Sequence, residues 1–316
     1  MAVILTTPRS FTGCSKAQQL LTAAGHEVRV TRPDKPYTAK ELCTMIQGVD
    51  ALIAGLDEIN RDVIRRGAPT LKVIARNGAG YNNIDLAAAR EAGVVVTTTP
   101  GVNSISVCEL AFALMIGLVR KVHVMHDTIR RGYWTRVPGS ELWGKTLGVI
   151  GTGAIGSELI RRGRAFGMNI LAYDLYPKED LVCDAGVRYV ELEELYREAD
   201  VLSLHLPASE QTKGMINEAA FAQMKRGVIL INTARGDLID ENALFAALIS
   251  GQLGGAGLDA FTREPFTDHR FFGLPNVLLT PHSGSYTAEA VERTLVAAAE
   301  EVLRVLSDQP PLHAIS

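Results

Sequence analysis

The chain has 316 residues, 47% of them apolar, and a formal net charge of −3. At about 150 residues per domain, this length predicts two domains with ample cores. A near-neutral charge with no basic stripe gives no electrostatic case for nucleic acid or an anionic membrane as partner.

Residues 1–6 read as an immediate β-strand, with no basic leader and no long apolar core, so no signal peptide is expected. The four cysteines, Cys14, Cys43, Cys108 and Cys183, are scattered and form no C-x-x-C pair. That pattern fits a reducing, cytoplasmic compartment better than a disulfide or zinc framework. Apolar runs at 3–5, 28–30, 51–53, 72–74 and 94–96 alternate with helical stretches, which predicts βαβ units and a parallel sheet. Pro100-Gly101 then punctuates the chain. Residues 105–119 are apolar on nearly every helical face, so this helix is expected to be covered all round, between domains or at a subunit contact. The apolar run 110–119, between Glu109 and Arg120, is too short to span a bilayer. A second αβ series covers 146–280, with strands expected at 147–150, 170–173, 201–204, 228–231, 255–259 and 277–280. An alanine-rich helix over 288–306 and a polar, proline-containing tail follow.

The stretch 147–174 limits function most. A buried strand is expected to run into Gly151-Thr152-Gly153-Ala154-Ile155-Gly156, which matches G-x-G-x-x-G and opens a helical pattern. A second apolar run ends at Asp174, 18 residues after Gly156. In such a unit Gly151 permits the tight turn, Gly153 admits a pyrophosphate to the backbone, and Gly156 lets helix pack on strand. The helix N-terminus presents free N–H groups and a positive dipole end to the pyrophosphate, and Asp174 accepts the ribose hydroxyls. An acid here with no cation in Leu175-Tyr176 points to NAD rather than NADP. Only the second series carries this fingerprint, so the first is expected to hold the other ligand. The active site is then expected in the cleft between the two, at carboxyl ends of strands.

Three predicted strands of the second series each deliver one ionisable residue just past their ends: Arg235, Glu264 and His282. Arg is a planar fork for a carboxylate or carbonyl oxygen. His exchanges a proton near neutral pH, and a neighbouring carboxylate orients the ring and favours its charged form. The competing reading of Arg235 is a surface ion pair with Asp237 or Asp240. His123 and His126 lie three apart on a helix, but no further ligand is placed beside them, so no metal is expected. His205-Leu206-Pro207 reads as structural, and Arg161, Arg162 and Arg164 as a solvated helix face.

Around these residues the chain resembles the D-isomer-specific 2-hydroxyacid dehydrogenase family, and its 3-phosphoglycerate dehydrogenase-like branch in particular. The matching segments are Gly144-Lys145-Thr146-Leu147-Gly148, residues 151–156, Asn232-Thr233-Ala234-Arg235-Gly236, Gly257-Leu258-Asp259, Glu264-Pro265 and Pro281-His282. Arg76-Asn77-Gly78-Ala79-Gly80-Tyr81-Asn82-Asn83-Ile84-Asp85 in the first half matches as well. The resemblance implies two doubly wound α/β domains: a Rossmann dinucleotide-binding domain at 101–285, inserted into a flavodoxin-like substrate domain built from 1–100 plus 286–316. It implies hydride transfer between nicotinamide C4 and substrate C2. Arg235 would bind substrate carboxylate and carbonyl, Glu264 would support the histidine, and His282 would be the acid/base. Gly151, Gly153, Ala154, Ile155, Gly156, Asp174, Leu206, Thr233, Ala234, Asp259, Ser283, Gly284 and Ser285 fall at cofactor-contact positions. Arg76, Asn77, Gly78, Ala79 and Gly80 fall at substrate positions, the 78–80 loop offering backbone N–H groups to the carboxylate.

The implied protein is an NAD-dependent homodimer acting on a small 2-hydroxy or 2-oxo acid. Ala54 stands where the phosphoglycerate branch leads one to expect a second arginine, and no carboxyl-terminal regulatory domain is expected. Hydroxypyruvate, glyoxylate, sulfolactate and a sugar acid therefore stay open beside 3-phosphoglycerate. The alternative from another class is an NAD-sensing binding protein like the C-terminal-binding corepressors. Formate dehydrogenase of the same superfamily is disfavoured by the glutamate at 264.

Overall fold

The computed structural model describes residues 1–32 and 34–315, with every side chain among them except that of Ser15. The chain divides into two compact units: residues 1–103 together with the segment from Tyr286 onward, and Ser104–Ser285.

The first unit is a five-stranded sheet. Its strands are β1 (Val3–Thr6), β2 (Glu27–Val30), β3 (Ala51–Ala54), β4 (Val73–Arg76) and β5 (Val95–Thr97). The order is β2-β1-β3-β4-β5, and every pairing is parallel. The central strands β3 and β4 are buried at every residue, as unbroken apolar runs require when helices cover both faces of a sheet. The period of two along β3 sends Leu52 and Ala54 into one core with Leu42, Ile46, Ile64 and Ile74. Ala51 and Ile53 join the other, with Ile4, Leu21, Val73, Leu295 and Ala298. The latter core is closed by the long helix Ala288–Leu306, whose Ala298 and Ala299 are fully buried. Its start is set by Thr287, whose hydroxyl accepts the Ala290 N–H.

The second unit carries seven strands: β6 (Thr146–Ile150), β7 (Asn169–Tyr173), β8 (Arg188–Tyr189), β9 (Val201–Leu204), β10 (Val228–Asn232), β11 (Leu253–Leu258) and β12 (Val277–Leu279). The order is β12-β11-β10-β9-β6-β7-β8, again all parallel. Chain direction reverses its march across the sheet at β6/β9, the topological switch point where doubly wound sheets bind ligands at carboxyl ends of strands. The helix Ser104–Val119 explains its near-uniform apolarity within this unit. It packs on β10, β11, β12 and the helix Ala154–Ala165, burying Val107, Cys108, Ala111, Phe112, Leu114, Met115 and Leu118.

The predicted helix over 288–306 coincides with Ala288–Leu306. The short edge strand β8 is absent from the expected set. Arg188 and Tyr189 present no apolar run, and their extended state is imposed by pairing with Leu171 and Ala172 of β7. Strand β11 starts earlier than expected because its first turnings, Leu253-Gly254-Gly255, carry too few side chains to show a pattern. Among the described residues, no helix is long and apolar enough to cross a membrane.

Candidate active site

At the switch point β6 leads through the glycine turn into the helix Ala154–Ala165. Gly151 has φ 92°, and a Cβ there would lie 2.5 Å from the His205 carbonyl oxygen. A Cβ on Gly156 would lie 2.0 Å from the Gly151 carbonyl oxygen, so a side chain at 156 would push the helix off the turn, while one at 151 would collide with the backbone after β9. Gly153 is the N-cap and has no side chain to satisfy the first turn, and the space above its Cα is open. The first-turn N–H groups, including those of Ala154 and Ile155, have no intrahelical acceptor and suit an anion.

Asp174 follows β7 and is tied to this turn. Its Oδ2 accepts the Thr152 N–H (2.6 Å) and hydroxyl (2.9 Å), and its Oδ1 accepts the Tyr176 N–H (2.9 Å). Burial opposes its ionisation, but those donors and the Lys178 charge outweigh burial and hold the carboxyl below its usual range. A carboxylate offers about four lone-pair sites, so three donors leave room for a ribose hydroxyl. Leu206 packs, partly buried, on the apolar core of this unit. The neighbouring His205 is structural: its N–H donates to Ile150 O (2.8 Å), and its Nε2 meets the Ser203 hydroxyl (2.8 Å). Burial pushes the imidazole pKa down to about 3, so the ring is neutral. The Thr233 hydroxyl is buried and has no hydrogen-bond partner. Such an orphan invites a ligand. The open turn, the uncapped helix and this orphan fit a dinucleotide.

The three ionisable residues occupy the loops after β10, β11 and β12. Asn232 ends β10, and its buried amide locks the next turn: Oδ1 accepts the Ala234 N–H (3.0 Å), and Nδ2 donates to Arg235 O (2.8 Å). Arg235 leaves this turn half-buried, donating from Nη1 to Ala234 O (2.6 Å). It forms no ion pair among the described residues, and Asp240 instead caps the helix Glu241–Ile249. The surface-pair reading of Arg235 thus finds no support.

Glu264 and His282 meet across 18 residues of sequence. Nδ1 of His282 lies 2.8 Å and 2.9 Å from the two Glu264 oxygens. A carboxylate only accepts, so Nδ1 carries the hydrogen and Nε2 is left to exchange a proton. Burial works against ionised Glu264, but the His282 hydrogen bond and charge, the Phe261 N–H and the Arg235 charge outweigh it. They hold the carboxyl below its usual range. The Glu264-Pro265 peptide bond is cis.

His282 has φ 50°, an uncommon backbone state for a non-glycine residue. Asp259 enforces it. This carboxyl is 1% exposed and accepts the Thr280 hydroxyl (2.6 Å), the Ser283 N–H (2.8 Å) and the Gly284 N–H (2.8 Å). The Gly284 carbonyl in turn accepts the Ser106 hydroxyl (2.8 Å). Asp259, expected at a cofactor position, thus spends both oxygens on shaping the 280–284 turn. Ser285 is exposed beyond it.

In the first unit, β4 ends at the buried Arg76, whose Nη1 donates to Asn77 O. The Asn77 N–H donates to Ala54 O (2.9 Å), and its Oδ1 is buried with no partner. The Gly78 N–H is already engaged by Arg76 O (2.9 Å) and the Thr99 hydroxyl (3.0 Å). The Ala79 and Gly80 N–H groups donate no hydrogen bond among the described residues.

Sequence reasoning passed over Thr152, Asn232, Thr280 and Thr99, all of which hold these loops in shape. Only Asn232 carried a local signal, as an Asx-turn residue directly after an apolar strand. Among the described residues, no group of three or more His, Cys, Asp or Glu side chains is placed to hold a metal ion.

The family model described as "D-isomer specific 2-hydroxyacid dehydrogenase, NAD binding domain" matches residues 112–284. Hydroxypyruvate reductase of Thermotoga maritima is 43% identical over 272 residues, covering 84% of this chain and 88% of that protein. D-3-phosphoglycerate dehydrogenase of Methanocaldococcus jannaschii is 42% identical over 273 residues, covering 85% of this chain but 52% of that longer protein. The apo-structure of D-lactate dehydrogenase from Escherichia coli superposes with a TM-score of 0.89 at 33% identity, covering 100% of each chain.

Proposed function

The chain belongs to the D-isomer specific 2-hydroxyacid dehydrogenase family and is an NAD-dependent oxidoreductase acting on CH–OH groups, and from that premise we propose that it interconverts a small D-2-hydroxy acid and its 2-oxo acid through Arg235, Glu264 and His282. The observation that carries this reading is the Glu264–His282 pair, which commits Nδ1 and leaves Nε2 free, at the carboxyl ends of the same parallel sheet as the glycine turn.

The first-turn amides after Gly153, with Asp174, Thr233, Ala234 and Ser283, would hold a dinucleotide, which when bound would supply the hydride for substrate C2. In reduction, the charged His282 gives the Nε2 proton to the substrate oxygen while Nδ1–H stays bonded to Glu264. In oxidation, neutral Nε2 takes that proton back. Arg235 presents two parallel N–H groups to the carboxylate and carbonyl oxygens, orienting the substrate and polarising the carbonyl. In the first unit, the Ala79 and Gly80 amides form a carboxylate-binding feature.

For the substrate, we propose an unphosphorylated 2-oxo acid such as hydroxypyruvate or glyoxylate. The buried Ala54 supplies no cation at the end of β3, and Arg76 is buried and engaged by the Asn77 carbonyl. Initial rates of NADH oxidation with glyoxylate, hydroxypyruvate, pyruvate and 3-phosphohydroxypyruvate test this, and a clear preference for the phosphorylated acid would refute it. His282→Ala should lower turnover by about 10²–10⁴-fold while NADH still binds. Near-native turnover would remove His282 from the role. We also propose a cytoplasmic homodimer, an assembly that would cover the exposed Tyr133, Trp134 and Trp143. A monomer in analytical ultracentrifugation would refute the dimer, and cell fractionation tests the location.

A further inference from the structure

Glu301 is a buried carboxyl group that the proposed reaction does not use. It lies in the helix Ala288–Leu306, is 2% exposed, and has no cation partner among the described residues. Its two oxygens are taken instead by two successive backbone amides of the tail. Oε2 accepts the Leu312 N–H, and Oε1 accepts the His313 N–H, each at 3.1 Å.

The tail so held lies along β5, the open edge of the five-stranded sheet. The Thr98 N–H donates to His313 O (3.1 Å), Ala314 bridges Thr97 in antiparallel sense, and the Ile315 N–H donates to Val96 O (2.9 Å). One residue past this clasp, Thr99 exchanges two hydrogen bonds with Gly78. The Thr99 N–H donates to Gly78 O (3.1 Å), and the Thr99 hydroxyl accepts the Gly78 N–H (3.0 Å). Gly78 has φ 138°, a backbone state that favours glycine, so a side chain there would strain the loop.

From this unbroken run of hydrogen bonds we infer that Glu301 is a positioning residue for the 77–80 loop. It fixes the tail, the tail fixes the end of β5, and the end of β5 aims the Ala79 and Gly80 amides. The inference rests on reading those amides as a carboxylate-binding feature. A carboxylate is the group the place requires, because two converging N–H donors need two acceptor oxygens, and a glutamine would turn an NH₂ toward one of them.

The test uses the full chain and three variants: Glu301→Gln, a chain ending after Pro311, and Gly78→Ala as a probe of the loop itself. Glu301→Gln and the shortened chain should each raise KM for the 2-oxo acid roughly tenfold and leave kcat within about twofold. NADH affinity should be unchanged, since every member of the clasp lies in the first unit. The two changes together should cost no more than either alone, because they break one chain of contacts. Amide hydrogen exchange at Asn77 and Gly78, the hydrogen-bonded amides of the loop, should quicken in both. If Gly78→Ala raises KM but the Glu301 and tail variants keep normal KM and normal exchange while losing only thermal stability, the positioning role is overturned and the loop reading stands. If Gly78→Ala also leaves KM unchanged, both fall.

Discussion

Replacing Glu264 by Gln separates the charge of the Glu264–His282 pair from its shape. The amide oxygen can still accept the Nδ1 hydrogen, so the ring keeps its orientation, but the negative charge beside it is gone. The size of the effect follows from the geometry. Nδ1 lies 2.8–2.9 Å from both carboxylate oxygens. Unit charges about 4 Å apart attract by about 1 kcal/mol in water and about 4 kcal/mol at the effective dielectric of a protein surface. Both side chains are 36% exposed, which places the pair toward the screened end. A value of about 1 kcal/mol or less is appropriate after that discount. Since about 1.4 kcal/mol corresponds to a factor of ten, loss of the charge alone should lower kcat/KM for reduction by up to about fivefold. The sign follows from the chemistry. Reduction draws the proton from Nε2 of His282, and the Glu264 carboxylate beside Nδ1 stabilises the ring that carries it. On the acid side, the lowered Glu264 pKa means that wild type keeps the pair until pH falls through that depressed value. The assay is kcat/KM for NADH-dependent reduction of the preferred 2-oxo acid across pH, with NADH binding checked separately. An unchanged kcat/KM in the variant would refute the charge argument.

Arg235→Lys should lower kcat/KM by well over tenfold, affecting both constants, because a single ammonium cannot span carboxylate and carbonyl together; an unchanged kcat/KM would make Arg235 a bystander. The half-buried His205, its pKa pushed down to about 3 by desolvation of the ring, ties the fold to pH. Its contribution to stability is full above the ordinary histidine value and is lost as pH falls from there toward the depressed value. The slope approaches about 1.4 kcal/mol per pH unit within that window. Urea unfolding at successive pH values should show this slope flattened in His205→Gln, and an identical slope in the two proteins would count against it.

What was legible in the sequence follows from how local each signal is. The helix Ala288–Leu306 could be read because apolar periodicity and alanine content are carried by the segment itself. The glycine turn could be read because Gly156 must meet Gly151 a few residues away, whatever the rest of the chain does. The buried strands of both sheets could be read because burial on two faces demands unbroken apolar runs. The sequence also placed Arg235, Glu264 and His282 at strand ends. The resemblance implied that Glu264 supports His282, but the geometry of that contact is tertiary, because the bond closes through the register of β11 on β12 and the Asp259 clasp on the 280–284 turn.

The tertiary structure alone decided three further matters. It drew β8 into the sheet by pairing with β7, although its two residues carry no strand pattern. It spent the Gly78 N–H on Arg76 and Thr99, leaving Ala79 and Gly80 as the loop's open donors. It brought Glu301 to the backbone of residues 312–313 and, through β5, to Gly78. Each depends on hydrogen bonds between segments far apart in the chain. A residue's own neighbours in sequence determine whether it can enter a strand or helix, but the partner of a buried polar group is settled only when the sheets are assembled and every donor must find an acceptor.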